Sequence, residues 1–101
     1  MALEIVWSTK ADKRFDKIID YLFTNWGEIT TKNFIQKVFN FIDILKEFPE
    51  IGTIENKEYD IRAFTIVKQI NIFYQVRENQ IIILDFYDNR QNITKKTILK
   101  S

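Results

Sequence analysis

The sequence contains no cysteine and no histidine, and only two glycines and one proline among its 101 residues. The lack of both cysteine and histidine excludes disulfides, thiol nucleophiles, cysteine/histidine zinc sites and an imidazole proton shuttle. Gly27 and Gly52 stand apart, so no glycine-rich phosphate loop is present, and no calcium-loop spacing occurs. The sequence therefore predicts no cofactor and no metal, with a site made of carboxylates alone as the remaining alternative, and any acid–base chemistry must use Asp, Glu, Lys or Tyr.

Long apolar runs are also missing. No run of about 18 apolar residues occurs, so we expect no membrane-spanning segment. The opening MALEIVW lacks the basic-then-apolar order of a signal peptide, which predicts a cytoplasmic protein. Hydrophobic residues make up 46% of the chain and aromatic residues 15%, which is typical of a packed globule. The length fits one hydrophobic core, so we expect a single domain over residues 1–101.

The net charge of +1 is unevenly distributed along the chain. Residues 50–60 carry four acidic side chains and one lysine, whereas residues 89–101 carry four basic side chains and no acidic one. The basic tail fits a phosphate or an acidic partner, and it equally fits a solvated chain end.

Helical spacing of apolar residues predicts two long helices after a short strand at residues 3–7. Ser8 or Thr9 caps the first helix, which runs to about Asn25, and Gly27 ends it in a left-handed conformation. The second helix begins near residue 30 and ends before Pro49. Its predicted inner face consists of Phe34, Ile35, Val38, Phe39, Ile42 and Leu45. The minimal connection predicts an antiparallel helical hairpin.

After a polar, acidic loop, the apolar residues repeat at every second position. This pattern predicts three strands, at residues 59–67, 69–77 and 80–87. Short connections between them predict antiparallel neighbours. The predicted fold class is α+β: an N-terminal strand and a long antiparallel helical hairpin packed on one face of a small antiparallel sheet, in the order β-α-α-β-β-β.

Two helices can cover only one face of such a sheet. We assign Ile61, Ala63, Thr65, Ile70, Ile72, Tyr74, Val76, Ile82, Leu84 and Phe86 to the covered face. The opposite face then shows Asp60, Arg62, Phe64, Asn71, Phe73, Gln75, Ile81, Ile83, Asp85 and Tyr87. Because an apolar surface of this size is rarely left exposed, we predict that Phe64, Phe73, Ile81, Ile83 and Tyr87 bind a partner protein. The alternative is that residues 92–101 fold back over this face.

Several short segments follow one another along the chain in a characteristic order. They are a strand ending in Trp7-Ser8, then YLFTNWG, FPEIG, YDIRAF, IFYQV and IIILDFYDNRQN. Together they resemble the RelE/ParE superfamily of bacterial type II toxins and the related plasmid-stabilisation proteins, over nearly the whole chain. The resemblance implies a growth-inhibiting toxin that a cognate antitoxin neutralises, as a homodimer or within a toxin–antitoxin heterotetramer.

The resemblance implies two different mechanisms. RelE-like members cleave messenger RNA on the ribosome with a basic cluster on the open face of the sheet, whereas ParE-like members lack most of that cluster and inhibit DNA gyrase. Arg62 and Arg90 match two basic positions of the ribonucleases and are the candidate catalytic residues, contacting phosphate or target. Asp60 and Asn71 stand where the ribonucleases have basic residues, and the tyrosine expected beyond Arg90 is absent.

RNA cleavage also needs a general base and a general acid, and arginine is a poor base because it stays protonated. Candidates for these roles are Glu55, Lys57, Glu58, Tyr87, Lys95 and Lys96. Arg62 could instead form a structural ion pair with Asp60 or Asp85, and Arg90 one with Asp88. A further alternative is an inactive relative that serves as a protein-interaction module.

Overall fold

The computed structural model of the protein describes residues 3–88. The elements are β1 (Glu4–Trp7), α1 (Thr9–Trp26), α2 (Glu28–Glu47), β2 (Thr53–Asn56), β3 (Ile61–Val67), β4 (Ile70–Arg77) and β5 (Gln80–Asp88). This order confirms the predicted α+β fold class. Strand β2 was predicted to be loop, and it adds a short edge strand to the sheet. Among residues 3–88, no helix is both long enough and apolar enough to cross a membrane.

Ser8 and Gly27 fix the two ends of α1. The Ser8 hydroxyl oxygen accepts a hydrogen bond from the Ala11 amide at 3.0 Å and donates one to the Leu84 carbonyl at 2.9 Å, which ties the start of α1 to β5. Gly27 has φ +89°, and its amide donates to the carbonyls of Leu22 and Phe23. Helix α2 begins at the next residue, so a single glycine joins the two helices.

The five strands form one sheet in the order β1-β5-β4-β3-β2. Strand β1 runs parallel to β5, and the remaining neighbours are antiparallel, as predicted for the three long strands. Strand β2 lies at the edge beside β3 and is exposed along its whole length.

Both helices pack on one face of the sheet and enclose the core. Its fully buried members include Ile18 of α1, Val38 and Leu45 of α2, and Tyr74 and Phe86 of the sheet. Phe39 was predicted to lie inside but is 46% exposed, whereas Phe41 is 4% exposed. The prediction for Phe39 was wrong because the buried stripe of α2 continues from Val38 through Phe41, Ile42 and Leu45.

A bulge in β5 reverses the predicted faces of its first half. Tyr74 lies opposite Ile83 and Phe73 lies opposite Asp85, so Leu84 is an extra residue in the ladder. Ile81 and Ile83 are therefore fully buried under the helices, and Phe86 is buried beyond the bulge. The prediction that Ile81 and Ile83 lie on the exposed face was wrong.

The predicted faces of β3 are also reversed. Arg62 lies opposite Tyr74 and Phe64 lies opposite Ile72, so both side chains share the helix-covered face with these core residues. The ring of Phe64 stacks on Phe41 of α2, with centroids 4.2 Å apart. Phe64 is consequently part of the packing between α2 and the sheet and does not lie on the open face.

Candidate functional site

The face of the sheet that the helices leave uncovered is the first candidate surface, and we call it the open face. On this face, Ala63 of β3 lies opposite Phe73 of β4. Asn71 of β4 lies between Thr65 of β3 and Tyr87 of β5. The Thr65 hydroxyl donates to the Asn71 side-chain oxygen at 2.9 Å. Of the five residues predicted to bind a partner, only Phe73 and Tyr87 lie on this face, and both are half-buried.

A mostly apolar row of side chains crosses the open face from β1 at one edge to β3, the neighbour of the edge strand β2. Val6 of β1 lies opposite Ile82 of β5, which lies opposite Gln75, and Gln75 lies opposite Ile61 of β3. All four side chains are half-buried. Together with Phe73 they form a continuous, mostly apolar row suited to contact with another protein.

Arg62, the first predicted phosphate-binding residue, lies at the corner where β3 passes the end of α2. Its Nε atom donates to the Asp60 carboxylate at 3.0 Å, and its Nη1 atom donates to the carbonyl oxygens of Glu50 and Gly52 at 3.1 Å and 3.2 Å. Only 13% of its side chain is exposed. Of the two structural ion pairs considered above, the structure therefore contains the pair with Asp60. The guanidinium group ties the segment after α2 to the sheet.

Tyr74 holds the same segment from the inside. Its hydroxyl group donates to the Pro49 carbonyl at 2.9 Å and accepts from the Gly52 amide at 2.8 Å. Burial raises the pKa of the Tyr74 hydroxyl above its usual value of 10.0, and the nearby Asp60 carboxylate acts in the same direction. The Gly52 hydrogen bond and the Arg62 charge oppose this rise. The neutral hydroxyl group is therefore the form that stabilises the loop.

Three of the predicted acid–base groups, all between α2 and β3, do not contact Arg62. Glu55, Lys57 and Glu58 are exposed, and within residues 3–88 no hydrogen bond or ion pair joins any of them to Arg62. The described part of the chain also contains no group of three acidic residues able to hold a metal ion. The contacts of Arg62 are thus those of a structural residue that holds the loop after α2 against the sheet.

A second charged cluster was missed from the sequence. The Asp85 carboxylate lies 3.5 Å from Nζ of Lys10 and 3.6 Å from Nε of Arg14. The spacing of four residues between Lys10 and Arg14 on one helix could have indicated a shared contact. Asp85 was one of two alternative ion-pair partners considered for Arg62, and in the structure it contacts the first turns of α1 instead.

Arg90, Lys95 and Lys96 lie outside the described residues. The candidate role of Arg90 accordingly stays a prediction from the sequence.

Comparison with known proteins identifies the family. A family model described as the ParE toxin of the type II toxin–antitoxin system parDE matches residues 5–93. The chain belongs to the ParE toxin family. No curated protein matches the sequence.

Solved structures show how widely this fold is shared. The chromosomal ParDE toxin–antitoxin system of P. aeruginosa matches with a TM-score of 0.71 and 17% identity, over 86% of this chain and 96% of that chain. The YoeB dimer of Staphylococcus aureus matches with a TM-score of 0.62 and 16% identity, over 86% and 97%. The E. coli DinJ-YafQ toxin–antitoxin complex matches with a TM-score of 0.61 and 7% identity, over 90% and 97%. At these identities the likeness concerns the fold.

Proposed function

We propose that this ParE-family toxin stops growth by inhibiting DNA gyrase, without cleaving RNA, and that a cognate antitoxin neutralises it. Membership of the ParE family supports the general function. The engagement of Arg62 carries the choice of target. A ribonuclease needs free positive charge where the phosphate sits, and the guanidinium group of Arg62 is already bound to Asp60 and to two carbonyl oxygens.

The cost of releasing Arg62 strengthens this argument. Only 13% of this side chain is exposed, and a phosphate held through Nε or Nη1 would have to displace the bonds that these atoms already make with Asp60 and the two carbonyl oxygens. Because the Asp60 side chain is 43% exposed, losing the ion pair costs little, and the main cost is that two backbone carbonyls lose their hydrogen bonds to Arg62. An inhibitor that binds its target through a surface needs no such rearrangement, so the geometry favours binding over catalysis.

The open face supports the proposed antitoxin contact. It places the half-buried Phe73 and a row of apolar side chains on a surface that no element within residues 3–88 covers. The E. coli DinJ-YafQ structure is a toxin–antitoxin complex of the same fold. We therefore assign the open face to the antitoxin.

The test is expression of the chain in a closely related bacterial host, with pulse labelling of DNA and protein synthesis. We expect DNA synthesis to stop first and purified gyrase to lose supercoiling activity in the presence of the toxin. Co-expression of the adjacent small reading frame should restore growth. If protein synthesis stops first and messenger RNA is cut, the toxin is a ribosome-dependent ribonuclease. If growth continues at high expression, the chain serves only as an interaction module.

Arg90→Ala extends the same experiment to the sequence-predicted residue. If Arg90 contacts the target, the substitution should reduce growth inhibition strongly at matched expression. Arg90→Lys separates the planar fork of arginine from its charge, since lysine retains only the charge.

A further inference from the structure

A groove lies where α2 ends and the edge of the sheet begins. Phe48 is 61% exposed and Ile51 is 43% exposed. Residues Glu47, Phe48, Pro49, Glu50 and Ile51 line a cavity of about 610 Å³. An adjoining cavity of about 400 Å³ shares Ile51 and is lined further by Thr53, Glu55, Ala63, Phe64, Thr65 and Asn71. We call the two cavities together the acidic groove.

The charge of the groove has one sign. Glu47, Glu50 and Glu55 are its charged residues, and neither cavity is lined by a lysine or an arginine. None of these three carboxylates forms an ion pair within the described residues. The whole chain, in contrast, has a net charge of +1. The groove therefore combines exposed apolar side chains with uncompensated negative charge.

The groove is also held in a fixed shape. Arg62 binds the carbonyl oxygens of Glu50 and Gly52, and Tyr74 binds the Pro49 carbonyl and the Gly52 amide. Four hydrogen bonds thus anchor the backbone that carries Phe48 and Ile51. A surface that is already ordered loses less conformational entropy when it binds a partner.

We propose that the acidic groove binds a segment of the antitoxin that is rich in lysine and arginine and carries apolar side chains between them. This inference rests on the proposed function for the identity of the partner. Basic side chains would neutralise the three carboxylates, and the apolar ones would cover Phe48 and Ile51. The groove is continuous with the open face, because Ala63, Thr65 and Asn71 belong to both. An antitoxin that covers the open face therefore reaches the groove at the β2 edge.

The first experiment measures the chemistry of the groove alone. A fluorescent synthetic peptide of lysine and leucine at helical spacing is titrated with the purified chain, and a peptide of glutamate and leucine serves as its control. We expect only the basic peptide to bind, with an affinity that falls as salt rises. The double variant Glu47→Lys/Glu50→Lys should weaken binding by about tenfold or more, because like charges then face each other.

The matched control places the same charge change elsewhere. Asp16 and Asp20 are two exposed carboxylates on α1, and Asp16→Lys/Asp20→Lys alters the net charge equally. This control should bind the basic peptide like the unaltered chain. Equal loss of binding in both double variants, or equal binding of the acidic peptide, would show only a general charge effect and would overturn the inference.

The second experiment tests the partner in cells. Glu47→Lys/Glu50→Lys should stop growth as strongly as the unaltered toxin, but the antitoxin should restore growth less well. Full restoration would exclude the groove from the antitoxin contact. If the unaltered chain does not stop growth, the proposed function fails and the assignment to an antitoxin fails with it. The peptide measurement still decides independently whether the groove selects basic segments.

Discussion

The amide nitrogen of Gly52 lies 2.8 Å from the hydroxyl oxygen of Tyr74, although the two residues are 22 positions apart in the chain. A Cβ atom at residue 52 would lie 2.7 Å from this hydroxyl oxygen and 2.9 Å from the Ala63 carbonyl oxygen. The closeness of a backbone atom means that rotation of Tyr74 alone could not relieve the contact. Glycine is required here for space, which separates it from Gly27, where the backbone conformation requires it.

Gly52→Ala should therefore destabilise the protein by about 1–3 kcal/mol, the usual cost of forcing an extra carbon atom into a packed site. Urea unfolding followed by circular dichroism measures the free energy of unfolding. Thr53→Ala, at the exposed neighbouring residue, should change stability by no more than about 0.5 kcal/mol. Equal midpoints for Gly52→Ala and the unaltered protein would contradict the close packing.

Tyr74→Phe should lower the free energy of unfolding by about 1–3 kcal/mol at neutral pH. The substitution removes the hydrogen bonds to Pro49 and Gly52 and leaves both backbone groups without that partner. Tyr59→Phe is the control, since Tyr59 is 57% exposed. Thermal melts of the two variants against the unaltered chain provide the comparison.

The same residue predicts a dependence on alkaline pH. Burial raises the pKa of Tyr74 in the folded state, so the unfolded chain loses this proton first as pH rises. The Tyr74 hydroxyl contributes its full stabilisation below about pH 10, which is the pKa of tyrosine in the unfolded chain. This stabilisation is lost as pH rises through the higher pKa of the folded state. The difference in free energy of unfolding between Tyr74→Phe and the unaltered chain should therefore shrink as pH rises above about 10. A constant difference would contradict the raised pKa.

Arg62→Ala should destabilise the protein by about 1.5–3 kcal/mol, the range for hydrogen bonds to charged groups. Arg62→Lys should recover only part of this loss, because an ammonium group cannot reproduce the planar contacts with Asp60 and the two carbonyls. We expect growth inhibition to decrease only as far as the amount of folded protein decreases. Loss of inhibition at equal folded protein would restore Arg62 as a residue that contacts the target.

Phe73→Ala should weaken the antitoxin complex by about 1–3 kcal/mol while the free toxin stays folded, because Phe73 lies on the open face. Ile83→Ala gives the opposite result, since Ile83 is fully buried, and should cost about 2–5 kcal/mol of stability. Isothermal titration with the antitoxin and urea unfolding distinguish these effects. Unfolding of Phe73→Ala would show that Phe73 belongs to the core.

The two helices and the antiparallel pairing of the three long strands could be predicted because their apolar residues repeat with a clear period. Ser8 and Gly27 also mark the ends of α1 by their chemistry, a side-chain oxygen that accepts from the backbone and a residue that tolerates positive φ. Strand β2 could not be predicted, because its sequence TIEN has one apolar residue and its pairing depends on β3.

The faces of the sheet could not be predicted for a different reason. Residues 81–84 are all apolar, so either alternation places large apolar side chains inside, and the bulge at Leu84 leaves no mark in the pattern. In β3 the charge of Arg62 indicated an exposed position. That argument failed because Asp60 and two backbone carbonyls satisfy the charge on the covered side of the sheet.

The single glycine between α1 and α2 limits how the length of this protein can change. Each residue of an α-helix advances the side-chain direction by about 100°. With Gly27 as the whole connection, one added residue at this junction would rotate the apolar stripe of α2 away from the sheet, whereas a longer loop would absorb it. Without a longer loop, a change of length at this end is therefore tolerated only where the apolar stripe of each helix still faces the sheet. The length of the helical hairpin is consequently constrained by the direction in which its helices must face the sheet.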